Sequence, residues 1–389
     1  MMNILGIIGG LVLAAFYIGA AIYIGKRIYK WLVVIFPLLN GLVFAGVFVL
    51  LAALSLKSLV PMTFPLHFSY VLRMIGGYLT GFLMYLLIFL VFVDLLVLIA
   101  KKCIPTDMLH KICFYGRAAA LFLTLVVAGY GAYNATQIKI VTYDIQLQRQ
   151  LDGEMTILLI SDLHLGEVHS ERRLEGMVSY INSLNPDIVC IAGDIFNDDF
   201  YAMRHPERAA ALLRGIDATY GVFASLGNHD KGPTLPSMLN FLEESEIRLL
   251  MEEYVIIDNR LVLIGRLDGV LPWIGDGGFG GMQRGDFADI MYAVRAHTQS
   301  RDLPVVVIDH NPTHINEYGS DVDLALFGHT HGGGLFPINF VTGALYVIDH
   351  GHFQLDSYSP HIIVTQGVHG WSIPLRVGTN NEIAKILIR

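Results

Sequence analysis

The sequence predicts an α/β domain carried behind an all-α membrane region, and three observations predict it. Four long apolar segments fill the first third of the chain, and five short apolar runs in the remainder each stop at residues of metal-ligand type. The charge is also split: positions 1–136 hold nine Lys/Arg and two acids, whereas positions 137–389 hold 17 and 32. At 54% hydrophobic and 15% charged, a chain of 389 residues is too apolar to be wholly soluble. The expected organisation is a four-helix transmembrane domain over 1–136 and an α/β domain over 137–389.

The apolar segments are Asn3–Gly25, Trp31–Leu54, Val71–Ala100 and Ala118–Asn134. Each is near the roughly 20 residues that a helix needs to cross a bilayer, and none carries the polar face of a soluble helix. No basic residue precedes the first, so it does not read as a signal peptide. Lys26, Arg27 and Lys30 are expected in the first connection, and Lys101, Lys102, Lys111 and Arg117 in the third; the second holds only Lys57 and Arg73. The positive-inside rule places both basic connections in the cytoplasm. The expectation is therefore a multi-pass protein of the cell membrane with its large domain extracytoplasmic. Asp94 is the one acid expected inside the helices, which is thin support for a channel or transporter. The acidic second part excludes nucleic acid as a partner and leaves the lipid bilayer as the implied one. Three cysteines, Cys103, Cys113 and Cys190, give the large domain no disulfide framework.

Beyond Gln137 the pattern turns to alternation at Ile138 and Ile140, an edge strand or hairpin. The central strand, Ile157–Ile160, stops at Ser161-Asp162-Leu163-His164. On an extended tip, side chains two apart point the same way, so Asp162 and His164 could reach one ion. Asp187–Asn197 delivers Asp194, Val222–Asp230 delivers Asn228 and His229, Val305–Pro312 delivers His310, and Leu324–Gly334 delivers His329 and His331. Any one of these could be a capped turn; five in order point to a metal site. Helices are expected between them at Arg172–Leu184, Pro206–Ile216, Leu235–Ser245 and Phe287–Thr298. Such alternation means an α/β domain, whose ligands belong outside the carboxyl ends of the strands. The ligand mix of carboxylate, amide and imidazole, with no thiolate, suits Mn, Fe or Zn over copper. Gly275–Gly281 lacks the frame and the lysine of a phosphate-binding loop.

The order Asp-x-His, Gly-Asp, Gly-Asn-His-Asp, lone His and Gly-His-x-His resembles the calcineurin-like metallophosphoesterases, over about Gln137 to Arg389. The form Gly328-His329-Thr330-His331-Gly332-Gly333 looks like that family's membrane-associated or exported bacterial branch, which includes lipid-directed hydrolases. The tail, Gln366–Arg376 then Glu382–Ile388, is similar to that branch's closing strand pair. The resemblance implies a four-layer α/β/β/α sandwich of two mixed sheets. It implies a first metal on Asp162, His164 and His331, a second on Asn228, His310 and His329, and Asp194 bridging both. His229 would be catalytic, facing the leaving group, with Asp230 orienting its ring. Two divalent ions, Mn foremost and Fe or Zn as alternatives, would lie about 3.5–4 Å apart and share a hydroxide for in-line attack at phosphorus.

The implied protein is a membrane-anchored phosphoesterase cutting a phosphate ester or diphosphate bond of a lipid or lipid-linked substrate. The alternatives are a broad phosphodiesterase whose anchor only localises it, and a non-catalytic scaffold of the same fold. Three positions depart from the family pattern: Asn197 stands for its second Asp, Gly334 for a frequent Gln, and Asp309 for a small residue before His310. Asn197 is expected to hydrogen-bond in place of the acid, and Asp309 to support the site or point to solvent. His169 and His369 are candidate substrate contacts, whereas His350 and His352 read as a surface turn. Pro272-Trp273-Ile274 with Phe279 reads as a packed lid or as a surface for lipid tails.

Overall fold

A computed structural model describes residues 4–56, 66–166, 170–269, 283–298, 302–370 and 373–389. The chain divides into two compact units: Met1–Tyr133 with Ser372–Leu375, and Asn134–Trp371 with Arg376–Arg389.

Among the described residues, the first unit holds four helices, α1 (Ile4–Ile35), α2 (Gly41–Leu56), α3 (Leu66–Ala100) and α4 (Thr106–Asn134). Their bounds correct the expected ones. Lys26, Arg27 and Lys30 lie inside α1 instead of in a connection, because nothing breaks the helix before Pro37. Asn40 then restarts the chain, its side chain accepting from the backbone of Leu42 and Val43. Lys111 and Arg117 likewise fall within α4, which begins directly after Pro105 and runs through Gly129 and Gly131. Three described helices, spanning Ile8–Ile35, Ser69–Ala100 and Thr106–Asn134, are long and apolar enough to cross a membrane, and Gly41–Leu56 is shorter. Asp94 is neutralised within the unit by Arg27, at 2.6 Å. A charge pair of this kind is how apolar helices tolerate ionised groups.

The second unit continues with β1 (Ile138–Ile145), β2 (Met155–Ile160), α5 (Ser170–Ser183), β3 (Ile188–Ala192), α6 (Pro206–Arg214), β4 (Val222–Ser225) and α7 (Leu235–Glu244). Next come β5 (Ile247–Leu249), β6 (Glu253–Ile257), β7 (Leu261–Gly265), α8 (Phe287–His297), β8 (Val305–Ile308) and β9 (Leu324–Phe327). The chain closes with α9 (Ile338–Leu345), β10 (Gly351–Phe353), β11 (His361–Val364) and β12 (Asn381–Ile388). One six-stranded sheet has the order β1-β12-β2-β3-β4-β5 and the other β10-β11-β9-β8-β7-β6. Both are mixed: β2 to β5 run parallel while β12 is antiparallel to β2, and β7, β8, β9 and β11 run parallel between antiparallel edges β6 and β10.

Strand alternation builds the layers. In β2, Ile157 and Leu159 join Cys190, Ile308 and Leu326 in the core between the sheets. Leu158 and Ile160 point the other way, onto Leu174, Met177 and Phe241 of the first sheet's helices. The second sheet turns Val262, Ile264 and Val307 onto Ile290 and Val294 of α8. The result is the α/β/β/α sandwich. Removing a side chain such as Leu159, fully buried between the sheets, would cost about 2–5 kcal/mol.

The tail differs from expectation. Only Asn381–Ile388 is a strand; Gln366–Arg376 does not pair as one among the described residues.

Candidate metal centre

Apolar strands end and ligand-type residues begin at one edge of both sheets. Asp162 follows β2, Asp194 follows β3, Asn228 follows β4, His310 follows β8, and His329 and His331 follow β9. Parallel neighbours bring these carboxyl ends together, as an open α/β sheet does. The backbone at the ends is not extended, which corrects the strand-tip geometry expected for Asp162 and His164. Both adopt left-handed conformations, with φ of 56° and 45°. Asp194, His329 and His331 do the same, at 51°, 73° and 52°. Each non-glycine residue in this region is strained by about 1–3 kcal/mol, so the surrounding hydrogen bonds must hold the turns. Asp162 donates its N–H to Gly193 O, and His164 donates to Asp194 O, each at 3.0 Å.

Two groups of side chains result, Asp162/His164/His331 and Asp194/His310/His329, with the ligand atoms of each within 4.8 Å of one another. In the first, His164 Nε2 lies 3.3 Å from His331 Nε2, and Asp162 Oδ1 lies 3.5 Å from His331 Nε2. Asp162 Oδ1 and His164 Nδ1 are buried without a hydrogen-bond partner. In the second, His310 Nε2 meets Asp194 Oδ2 at 3.3 Å, Asn228 Oδ1 at 3.2 Å and His329 Nδ1 at 3.2 Å. His310 Nδ1 lies 2.7 Å from Ala192 O, an acceptor, so it carries a proton and leaves Nε2 for the site. The two groups meet at Asp194. Its Oδ2 is 3.9 Å from His164 Nε2 and 3.3 Å from His310 Nε2, while its Oδ1 accepts from the backbone of His229.

These donors fit divalent cations. Buried lone pairs converge with too few protons between them, and an orphaned buried carboxylate oxygen costs free energy unless a cation meets it. Burial pushes His164, His329 and His331 down to about 3, keeping them neutral as ligands must be. His310 goes the other way. Burial opposes its charge, but the Asp194 carboxylate outweighs this and raises it well above the usual histidine range.

Glycines hold the loops close. A Cβ at Gly227 would stand 2.3 Å from Asp194 Oδ1, and one at Gly193 would stand 2.6 Å from His310 Nδ1. Neither position admits a side chain without moving a ligand.

His229 stands beside the groups, 4.0 Å from Asp194 Oδ2, with its side chain 18% exposed. Its ring partner differs from the expected one. Asp198, not Asp230, meets Nδ1 at 2.8 Å. Asp230 is fully buried, and its carboxylate accepts the backbone N–H groups of Ile195, Phe196 and Gly227. It fastens the Asp194 loop to the Asn228 loop, and burial together with nearby Asp194 raises its carboxyl to about 7. Burial works against a charged His229, yet the bond to Asp198 and the carboxylates of Asp194 and Asp230 prevail and raise its pKa. Asn197 leaves its side-chain oxygen without a partner, so the acid that serves this loop comes one residue later.

Asp309 supports the site. Fully buried, it receives Arg284 Nη2 at 2.8 Å, the Tyr318 hydroxyl at 2.6 Å and the His310 backbone at 2.7 Å. Arg376, also fully buried, donates to the carbonyls of His331, Gln366 and His369. Neither arginine was marked by a sequence motif. His369 is buried, its Nδ1 3.0 Å from Leu163 O, so it packs the loop and does not face substrate. His350 lies beside Asp349 and His352 stacks on His361, both at the surface. Gly334, with φ of 68°, ends the tight turn of His331–Gly333, a conformation that disfavours Gln. His169 and the Pro272–Phe279 loop lie outside the described residues.

Two mixed sheets thus carry histidines and carboxylates at their shared edge, in groups that could hold divalent cations. Residues 155–333 match the family model of calcineurin-like phosphoesterases. The match lies within the second unit of the chain. It is 28% identical to a zebrafish (Danio rerio) transmembrane protein with metallophosphoesterase domain, over 69% of this chain and 62% of that protein. An uncharacterized metallophosphoesterase of Campylobacter jejuni is 25% identical over 74% of this chain and 73% of its own length. One of Aquifex aeolicus is 28% identical over 69% of this chain and 98% of its own length. The chain thus spans less than two thirds of the zebrafish relative.

Proposed function

We propose that this protein is a membrane-anchored, two-metal phosphoesterase, with residues 1–136 as anchor and 137–389 as catalytic domain. The observation that carries the reading is Asp194 Oδ2, which faces His164 of one ligand group and His310 of the other. In this reading Asp162, His164 and His331 would hold one ion, Asn228, His310 and His329 would hold the other, and Asp194 would serve both. Mn suits the donors best, with Fe or Zn as alternatives.

Divalent ions bound here would supply Lewis acidity and an acidified water for displacement at phosphorus. The chain supplies orientation and a proton. Asp194 and Asn228 share one edge of the site, and His229 reaches past them. Its bond to Asp198 and the nearby carboxylates raise its pKa, which favours the protonated ring that a departing oxygen needs. Asp198 fixes the ring from Nδ1, leaving Nε2 to meet the leaving group. Asp230 keeps the two loops in register.

The substrate is a phosphate ester or diphosphate at or near the membrane, a lipid or lipid-linked molecule. The three helices long and apolar enough to cross a bilayer support this. The catalytic domain lies on the extracytoplasmic face, by the asymmetry of basic residues between helix ends. Both parts are testable. Purified full chain with added Mn is offered phospholipids, lipid diphosphates and nucleotide-lipids in detergent, with bis-p-nitrophenyl phosphate alongside. Release of phosphate or headgroup from a lipid supports the reading. Hydrolysis of the soluble ester alone would favour a broad phosphodiesterase, and no hydrolysis with both ions bound would favour a scaffold. Orientation is read from an impermeant thiol label on Ser357→Cys, with the native cysteines replaced. Labelling only after permeabilisation would reverse it.

A further inference from the structure

Helix α9 is amphipathic in the wrong sense for a soluble domain. Ile338, Phe340, Val341 and Leu345 are exposed, Phe340 by 67% and Leu345 by 75%, with Phe336 and Val347 exposed at either end. The inner face carries Asn339, Thr342 and Tyr346, spaced three and four apart, which are only partly exposed. Thr342 donates to Asp349 Oδ2 at 2.6 Å, and the Tyr346 ring lies 6.2 Å from that of His329. No charged residue occurs from Phe336 to Val347. A surface helix of a globular protein does the opposite, turning its apolar stripe inward. A contiguous exposed apolar face of this kind marks an interaction site.

We infer that α9 is an in-plane docking element that seats its outer face in the interfacial layer of the lipid bilayer. Three features select the bilayer as occupant. First, the chain brings a membrane with it, through helices long and apolar enough to span one. Second, within the second unit α9 is tied by hydrogen bonds to Asn134, the residue at which the chain enters that unit. Asn134, the final residue of α4, donates its side chain to the carbonyls of Arg376 and Thr379. The same segment returns to the start of α9: Phe336 donates to Val377 O, and the Thr379 hydroxyl donates to Gly334 O. Third, the face is small. Eight residues of helix extend about 12 Å, too short a contact to supply by itself the roughly 800 Å² per partner of a stable protein interface. It suffices for an interfacial helix, which enters the lipid by about 5–10 Å. With no basic rim, such a face binds weakly alone, so its occupancy depends on the effective concentration that the tether provides.

This seating has a consequence for the metal centre. The backbone of α9 packs onto the turn after His331, where a Cβ on Gly333 would stand 2.5 Å from Asn339. Lipid contact on one side of α9 is therefore passed within one helix diameter to the ligand loop on the other. The inference stands whether or not the centre hydrolyses phosphate esters, because its test reads no turnover.

The test uses the full chain in phosphatidylcholine–phosphatidylglycerol vesicles, with Cys103 and Cys113 changed to Ser and Cys190 to Ala. An environment-sensitive dye is placed at Phe340→Cys, at Leu345→Cys and, as a control, at Glu207→Cys on α6. Each labelled chain is used only if its circular dichroism and elution match the parent. The expected result is blue-shifted emission at 340 and 345, with roughly half or more of it lost to lipids spin-labelled near the headgroup. Lipids labelled at the chain end should quench less, and the control should respond to neither. Water-like emission at 340 and 345, equal to the control, would overturn the inference. So would a blue shift that neither lipid quenches, since that means cover by protein, either a second copy or this chain's own helices. Strongest quenching by the chain-end label would also overturn it, by placing α9 across the bilayer core.

Discussion

The two ligand groups use similar side chains but are braced unequally. In the group around Asp194, His310 is fixed at both ends. Its ring meets Ala192 O, and its backbone is tied to Asp309, which Arg284 and Tyr318 hold in turn. In the group around Asp162, Arg376 pins the His331 carbonyl and Asp162 Oδ2 takes the Ser161 hydroxyl and the His329 backbone N–H, but His164 Nδ1 has no hydrogen-bond partner. A ligand oriented by a second partner reaches its metal with less reorganisation. The difference teaches that the His310 ring is oriented by hydrogen bonds in advance, whereas the His164 ring relies on the cation itself to fix it.

The most direct way to break the comparison is to remove the residue the halves share. Asp194→Asn should lose both ions and essentially all activity, more than any other single ligand change, because its Oδ2 faces both groups. Elemental analysis reads the outcome, and two retained ions at full activity would end the bridging assignment.

A smaller effect should separate chemistry from metal binding. His229→Ala should keep both ions and lower kcat by about 10²–10⁴-fold. The loss should shrink for p-nitrophenyl esters, whose leaving group scarcely needs a proton. Asp198→Asn should reproduce a fraction of it, and should move the alkaline limb of the pH profile downward, since Asp198 helps raise the His229 pKa. Metal loss in His229→Ala, or an unchanged limb in Asp198→Asn, would contradict these roles.

The inequality of the halves sharpens under graded chelation. The ion at Asp162, His164 and His331 should leave first. Asp309→Asn should weaken the other site by about 10–100-fold and bring the two releases together. Simultaneous release from the parent chain, followed by calorimetry or metal analysis, would show the bracing to be immaterial.

The smallest effect concerns Glu317, which shares Arg284 with Asp309. Burial opposes its ionisation, but hydrogen bonds from His314 and Arg284 hold its carboxyl at about 2, against an ordinary 4.5. A depressed carboxylate contributes stability above its unfolded pKa and loses it as pH falls through the folded one. Glu317→Gln should therefore lower Tm modestly at neutral pH, and the gap from the parent should close between pH 4.5 and about 2. A gap independent of pH would assign the change to packing.

Much of this was legible in the sequence because it is local. Apolar residues set β2, β3, β8 and β9, and each run stops where ligand-type residues begin, so Asp162, Asp194, Asn228, His310, His329 and His331 stood out as candidates from the sequence. Helices such as Pro206–Arg214 and Leu235–Glu244 followed from their own periodicity, with proline in the first turn. What tertiary structure decided was partnership. The ring partner of His229 is Asp198, across a separation of 31 residues, although Asp230 is its neighbour in the chain. Arg376 reaches His331 across 45 residues, and Arg284 reaches Asp309 across 25. The left-handed turns at the ligands and the outward apolar face of α9 were likewise invisible in the linear pattern. Periodicity reports which residues are apolar and how they repeat, so it reaches only as far as one element. A hydrogen bond between distant loops depends on where two chain segments meet, and that is set by sheet order and packing.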